Sequence, residues 1–224
     1  MFLFDESTLF SLKLSLKVSF FSTLFVLIVG IIIAYILARK SFFGKEFLDI
    51  LFTLPLVFPP TVTGYYLILL FGRNGYIGKS LYAISGFSFM FSWQGAVLAS
   101  FVVSIPLMIK TSRAAIESVD SHLINVSYSL GRSEFDTAIK IILPLSKKGI
   151  IAGAILSFAR SMGEFGATLM IAGNIPGKTN TMPLAIYTYN SSGDYREANI
   201  LVIFFTLISG SFLYLANRLT KKVI

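Results

Sequence analysis

The stretch from Leu14 to Leu37 holds one charged residue, Lys17, in an otherwise almost wholly apolar run. A run of about 20 apolar residues is long enough to cross the hydrocarbon core of a bilayer as a helix. In lipid, only helices and closed barrels can satisfy every backbone polar group internally. Four further runs follow, Leu48–Phe71, Trp93–Ile109, Gly149–Met170 and Ile200–Ala216. The composition agrees: 55% of residues are hydrophobic and 13% charged, against roughly 25% charged in soluble domains. The sequence therefore predicts an all-α polytopic membrane protein, residues 1–224 as a single domain, with about five and at most six transmembrane helices. The first run does not read as a cleaved signal peptide, because acids rather than Lys or Arg precede it and the run is too long.

Composition also excludes chemistry. There is no cysteine, so neither disulfides nor thiolate sites are available, and a single histidine, His122, argues against a His-based centre. No metal site is expected. The net charge of +8 could suggest nucleic acid, but its distribution points to the membrane. With five crossings, one side collects twelve basic residues: Arg39, Lys40, Lys45, Lys110, Arg113, Arg132, Lys140, Lys147, Lys148, Arg218, Lys221 and Lys222. The other collects four, Arg73, Lys79, Lys178 and Arg196. By the positive-inside rule the N-terminus is predicted outside and the C-terminus in the cytoplasm of a multi-pass inner-membrane protein.

Three features interrupt the apolar runs. Pro55, Pro59 and Pro60 fall in the second run, and each removes a backbone donor. Broken backbone at membrane depth is tolerated only where protein or water satisfies it. This favours a gate or pore-lining break over a passive kink, with Thr61 and Thr63 able to offer hydroxyls to freed carbonyls or a solute. In the fourth run Arg160 and Glu164 are spaced i to i+4, so on one helix they share a face and can pair. The pair is either an internal clamp or part of a route for a polar solute, since charges at this depth are costly and face a bundle interior or wet cavity. The outer connection between the second and third runs is aromatic-rich, as an interfacial belt or a docking surface would be. The outer segment 174–199 is too long for a structureless connection, and "TMPLAIYTY" within it suits a short helix in a folded external element.

The longest inner connection, about 111–148, carries an amphipathic pattern. Ile116, Val119, Leu123, Val126 and Leu130 recur at helical spacing, and Gly131 suits a helix stop. Ser133 with Asp136 forms an S-x-x-D capping signature. Phe135, Ala138, Ile139 and Ile142 then define one apolar face, and Pro144 is expected to end the helix. The polar face, with Glu134, Asp136 and Lys140, is mixed rather than Lys/Arg-rich, which suits a protein partner better than a bilayer surface.

Gly131, Ile141, Leu143 and Pro144 reproduce the spacing G-x9-I-x-L-P, and this resembles the EAA loop of ABC-importer permeases. The three positions where that family has Glu-Ala-Ala are Asn125, Val126 and Ser127 here, so an acid-based salt bridge is not expected. The runs "FARSMGEFGATLMIAGNIPGKTNTMPLAIY" and "LPLVFPPTVTGYYL" look like the permeases of molybdate ABC transporters, with tungstate and sulfate permeases as close relatives. The resemblance extends from about Thr8 to Leu219. It implies the type I importer permease fold and a homodimer in the lipid membrane with its pore near the two-fold axis. It also implies an extracytoplasmic oxyanion-binding protein and two cytoplasmic ATPase subunits that dock on Asn125, Val126, Ser127, Gly131, Arg132, Ser133, Phe135, Ala138, Ile141, Leu143 and Pro144. The sequence lacks G-x-x-x-x-G-K-[ST], so no cofactor is expected on this chain and ATP with Mg is assigned to the partner. An intramembrane hydrolase would need a nucleophile–base or carboxylate pair, yet Glu164 is the one carboxylate well inside a run and His122 lies in an inner loop.

Overall fold

The computed structural model describes residues 5–220, so Lys221 and Lys222 lie outside the described residues. Among these the regular elements are all helical. The first helix, α1 (Glu6–Arg39), is one unbroken rod about 50 Å long at 1.5 Å per residue. Many of its buried positions are small: Ser11, Ser15, Ser19, Ser22, Gly30 and Ala34 are buried alongside Leu14, Val18, Val26 and Leu37. Such small residues let helices approach in lipid, where burial alone gives little drive for association. The facing partner is α5 (Trp93–Glu117), and a Cβ on Gly30 would come within 2.6 Å of Met108 Cγ.

Hydroxyls lock this contact to α8 (Leu143–Met162). Ser161 Oγ donates to Ser104 Oγ at 3.1 Å, and Ser104 donates to the Ser100 carbonyl at 2.6 Å. Ser22 Oγ lies 3.0 Å from Ser161 Oγ, and since each hydroxyl has one proton, Ser22 donates. The three helices thus share one directional chain of hydrogen bonds inside the apolar core.

The third and fifth runs form helices, longer than read from sequence: α5 continues to Glu117, and α11 spans Tyr195–Thr220. The second run is two helices, α2 (Lys45–Val57) and α3 (Pro60–Phe71), bent by 119°. Among the described residues four helical rods are long and apolar enough to cross a membrane, or five when the bent pair is counted as one broken span. The three prolines differ in effect. Pro55 stays inside α2, whereas the bend sits at Phe58–Pro59 and Pro60 opens α3 at its first position, where a missing N–H costs nothing.

The fourth run is also broken. The helix stops at Met162 and resumes as α9 (Gly166–Ala172). At its other end it starts far earlier than Gly149. A short helix α7 (Glu134–Thr137) runs through a π turn at Ala138–Ile142 directly into α8. Pro144, expected to end a helix, sits instead in the first turn of α8. The π turn is the reason: its wider i→i+5 pattern takes Leu143 N–H to Ala138 O, so the absent N–H of Pro144 interrupts no regular ladder.

The segment carrying "TMPLAIYTY" forms α10 (Met182–Ser192), the short helix expected there, and it packs back onto the bundle. Met182 and Ala185 are buried in a cluster with Leu12, Leu16 and Phe158, and Leu184 is buried too, while Met182 N–H donates to Ser15 Oγ at 2.7 Å. The aromatic connection between α3 and α5 holds one short helix, α4 (Gly78–Ser85).

Candidate functional site

Two regions gather the residues singled out above. The first lies where the two broken runs meet. Gly166, at the start of α9, is so close to α3 that a Cβ there would lie 2.7 Å from Pro60 Cβ and 3.5 Å from Thr61 N. One turn further along α3, a Cβ on Gly64 would meet Met170 Cβ at 2.6 Å and Ala167 Cα at 3.1 Å. The half-helices α3 and α9 therefore cross in backbone contact, each supplying a glycine where the other presses. Pro59, Pro60 and Thr61 are exposed beside this crossing, while Thr63 is buried. Thr63 Oγ1 makes no hydrogen bond among the described residues, so it does not take up a freed carbonyl.

Arg160 and Glu164 are joined here as the spacing predicted, with Arg160 Nη1 3.0 Å from Glu164 Oε2. They do not share one continuous helix, however. Arg160 ends α8, and Glu164 stands in the link before α9. The other carboxylate oxygen, Oε1, accepts the Ala167 N–H at 2.8 Å. Glu164 therefore closes the break: one oxygen caps the N-terminus of α9 and the other holds the guanidinium. Its side chain is 1% exposed and that of Arg160 31%, so the carboxylate depends on these partners and the arginine still reaches the open side.

Removing the arginine is expected to hurt more than removing both charges. Arg160→Ala leaves a buried, unpaired carboxylate, a loss of about 3 kcal/mol, near the low end for a broken buried pair because Arg160 is partly exposed. Arg160→Met with Glu164→Gln should recover much of that loss. Thermal unfolding of purified protein in detergent checks this, and equal loss in both variants would show that the charge pair does not hold the break together.

The second region is at the end of the bundle where α5 finishes. Asp120 caps α6 (Ser121–Ser129) through the His122 N–H. Gly131 then turns the chain with φ +77°. Its N–H reaches the Tyr128 carbonyl at 2.9 Å and Arg132 N–H the Ser127 carbonyl at 3.2 Å, the paired bonds of a Schellman stop. Ser133 Oγ accepts the Asp136 N–H at 3.1 Å and starts α7. The glycine corner and serine cap thus sit where the sequence placed them.

The apolar face of α7 is not single. Ala138 is buried, and Ile142 is buried with Ala34, Ile116 and Ile124, but Phe135 is 76% exposed and Ile139 is exposed too. The π turn adds a residue to the winding and so rotates positions beyond it relative to those before it. Leu130, 74% exposed, joins Phe135 on the open side. Val126, Leu130, Arg132, Ile141 and Pro144 line a groove of about 470 Å³ between α6 and the start of α8. Asn125 and Ser133 are exposed as well, whereas Ser127 is buried and Leu143 half-buried. Ser127 Oγ lies 2.9 Å from Thr137 Oγ1, binding α6 to α7 from behind.

Sequence reasoning missed what anchors this corner. Glu134 accepts hydrogen bonds from Lys40 and Tyr35 at the end of α1. Arg113 bridges Asp49 of α2 at 2.8 Å and Glu117 at 2.7 Å. Lys40 and Arg113 had been counted only as topological markers. The i,i+4 spacing of Arg113 and Glu117 was a visible signal. The link from Lys40 to Glu134 spans 94 residues and has none.

The model of the binding-protein-dependent transport system inner membrane component family matches residues 27–223. The chain is 44% identical over 214 residues to the molybdenum transport system permease protein ModB of Haemophilus influenzae, covering 95% of this chain and 93% of that protein. It is 47% identical over 192 residues to ModB of Escherichia coli strain K12, covering 85% and 84%. The sulfate transport system permease protein CysT of Salmonella typhimurium is 33% identical, covering 94% and 76%. A bacterial ABC transporter that imports the acidic polysaccharide alginate superimposes with a TM-score of 0.77 at 15% identity, covering 98% of this chain and 81% of that one. The fold is thus that of an ABC-importer permease, and the chain belongs to the binding-protein-dependent transport system inner membrane components, alongside the molybdenum permeases.

Proposed function

We propose that this chain is the membrane subunit of an ATP-driven importer that carries molybdate across the cytoplasmic membrane. Full-length similarity to molybdenum permeases supports this reading most directly. In this reading the chain works as a homodimer. Its basic end, with Lys40, Arg113 and Lys140, faces the cytoplasm, and the groove beside Leu130 and Phe135 receives a separate ATPase subunit. ATP and Mg reside on that subunit, and an extracytoplasmic binding protein presents the oxyanion at the opposite end.

The chemistry fits the division of labour. A tetrahedral dianion must be attracted yet released, so a permease should hold it weakly. Arg160 is the one cation at the helix breaks, and Glu164 already compensates it. The α3–α9 crossing supplies stiff backbone rather than charged ligands beside the route.

The decisive assay reconstitutes the chain with its ATPase in proteoliposomes and adds binding protein loaded with molybdate, tungstate or sulfate. ATP hydrolysis and uptake should rise with molybdate most strongly. Stimulation by sulfate alone would move the chain to the sulfate branch, which its similarity to CysT makes the second reading.

A further inference from the structure

At the end of the bundle where α5 begins, a cavity of about 1000 Å³ opens between the α3–α4 connection and the segment before α10. Its wall carries Arg73 from the first, Lys79 from the first turn of α4, and Lys178 from the second. No acidic residue lines it, and none of the three cations is in an ion pair among the described residues. Elsewhere in this protein Lys40 pairs with Glu134, Arg113 with Asp49 and Glu117, Lys140 with Asp136, and Arg160 with Glu164. What sets this cavity apart is that two separate segments bring three cations to one concavity with no carboxylate among its lining residues.

Two further observations tie the cavity to the helix breaks. Ile68 and Leu69 of α3 line it, together with Phe91. Phe91 is the one non-glycine residue with positive φ, 56°, among the described residues. Its N–H donates to the Ile171 carbonyl of α9 at 3.0 Å, and its ring lies against Gly173, where a Cβ would come within 3.1 Å. A strained residue held by its surroundings is a recurrent mark of functional positions. The cavity thus rests on the outer ends of both half-helices that cross at Gly64 and Gly166. Arg73 is also held in place, its guanidinium 4.7 Å from the Tyr82 ring centroid, an orientation that cation–π attraction favours.

We propose that this cavity is the vestibule in which a small oxyanion first resides on the permease, with Arg73, Lys79 and Lys178 supplying the attraction. The inference rests on the transport reading above and deepens it by placing the anion's first contact. Exposed cations in high dielectric interact weakly with an anion, and a pocket much larger than a tetrahedral oxyanion lets it stay hydrated. Both properties suit transient residence rather than tight binding. Clefts lined by one sign of charge raise local counter-ion concentration and association rates by about 10- to 1000-fold, and salt removes that advantage. The alternative occupant is an acidic loop of the binding protein, and kinetics separate the two.

The test uses the intact permease–ATPase complex in proteoliposomes with molybdate-loaded binding protein. Arg73→Gln, Lys79→Gln and Lys178→Gln are combined, and complex yield and basal ATP hydrolysis serve as controls for folding. Uptake at saturating binding protein should fall about tenfold, with the concentration of binding protein giving half-maximal uptake unchanged. Lys79→Arg with Lys178→Arg should retain uptake. A large rise in the half-maximal concentration with unchanged maximal uptake would overturn the vestibule and make the patch a protein-docking surface. Unchanged uptake in both respects would also overturn it. Absence of oxyanion uptake by the unsubstituted complex would instead refute the transport reading itself.

Discussion

Gly166→Val is expected to abolish transport and sharply lower the yield of folded protein. The added Cβ would stand 2.7 Å from Pro60 Cβ and 3.5 Å from both Pro60 C and Thr61 N. None of these atoms is the free end of a flexible side chain, so the strain can be relieved only by parting α3 from α9. Overpacking of this kind costs about 3 kcal/mol, and here it also disturbs the Glu164 bond to the Ala167 N–H next door. Gly210→Val is the matched control, because no atom lies within 4 Å of its Cβ position. Membrane yield, thermal unfolding and uptake should all fall for the first variant and hold for the second. Normal uptake by the Gly166 variant would mean that the two half-helices need not touch.

Leu130→Asp combined with Phe135→Asp should leave the permease folded and destroy its association with the ATPase. Both side chains stand mostly in solvent, so their replacement removes little from the fold. Central apolar anchors of an interface typically contribute about 2 kcal/mol or more each when truncated, and a buried carboxylate adds a desolvation cost. Together these predict a loss of complex of at least about a hundredfold. Co-purification and equilibrium binding measure it, with unfolding of the permease alone as the folding control. An intact complex would remove the docking role from this face.

The apolar runs were legible because their length alone demands helices in lipid. The Ser133 cap and the Gly131 corner were legible because each needs only neighbouring residues. The failures share a different cause. Pro144 was read by local rule as a terminator, but a π turn, which no residue pattern announced, let the helix pass it. Arg160 and Glu164 were rightly paired from their spacing, yet the same spacing concealed the break at Gly163, where the helix stops without any proline. The clasp of Glu134 by Lys40 and Tyr35 joins distant parts of the chain, so it becomes visible only once α1 and α7 are placed side by side. The cations of the proposed vestibule are likewise split between residues 73–79 and residue 178.

The uninterrupted passage through Pro144 has a mechanical consequence. From Glu134 to Met162 the helical winding is continuous over 29 residues, about 44 Å at 1.5 Å per residue, and it joins the exposed Phe135 to the last turn that carries Arg160. Treated as a rigid lever, such a helix tilted by about 10° at one tip sweeps the other through about 8 Å. The break after Met162 is the joint at which this helical path meets the Glu164 clasp.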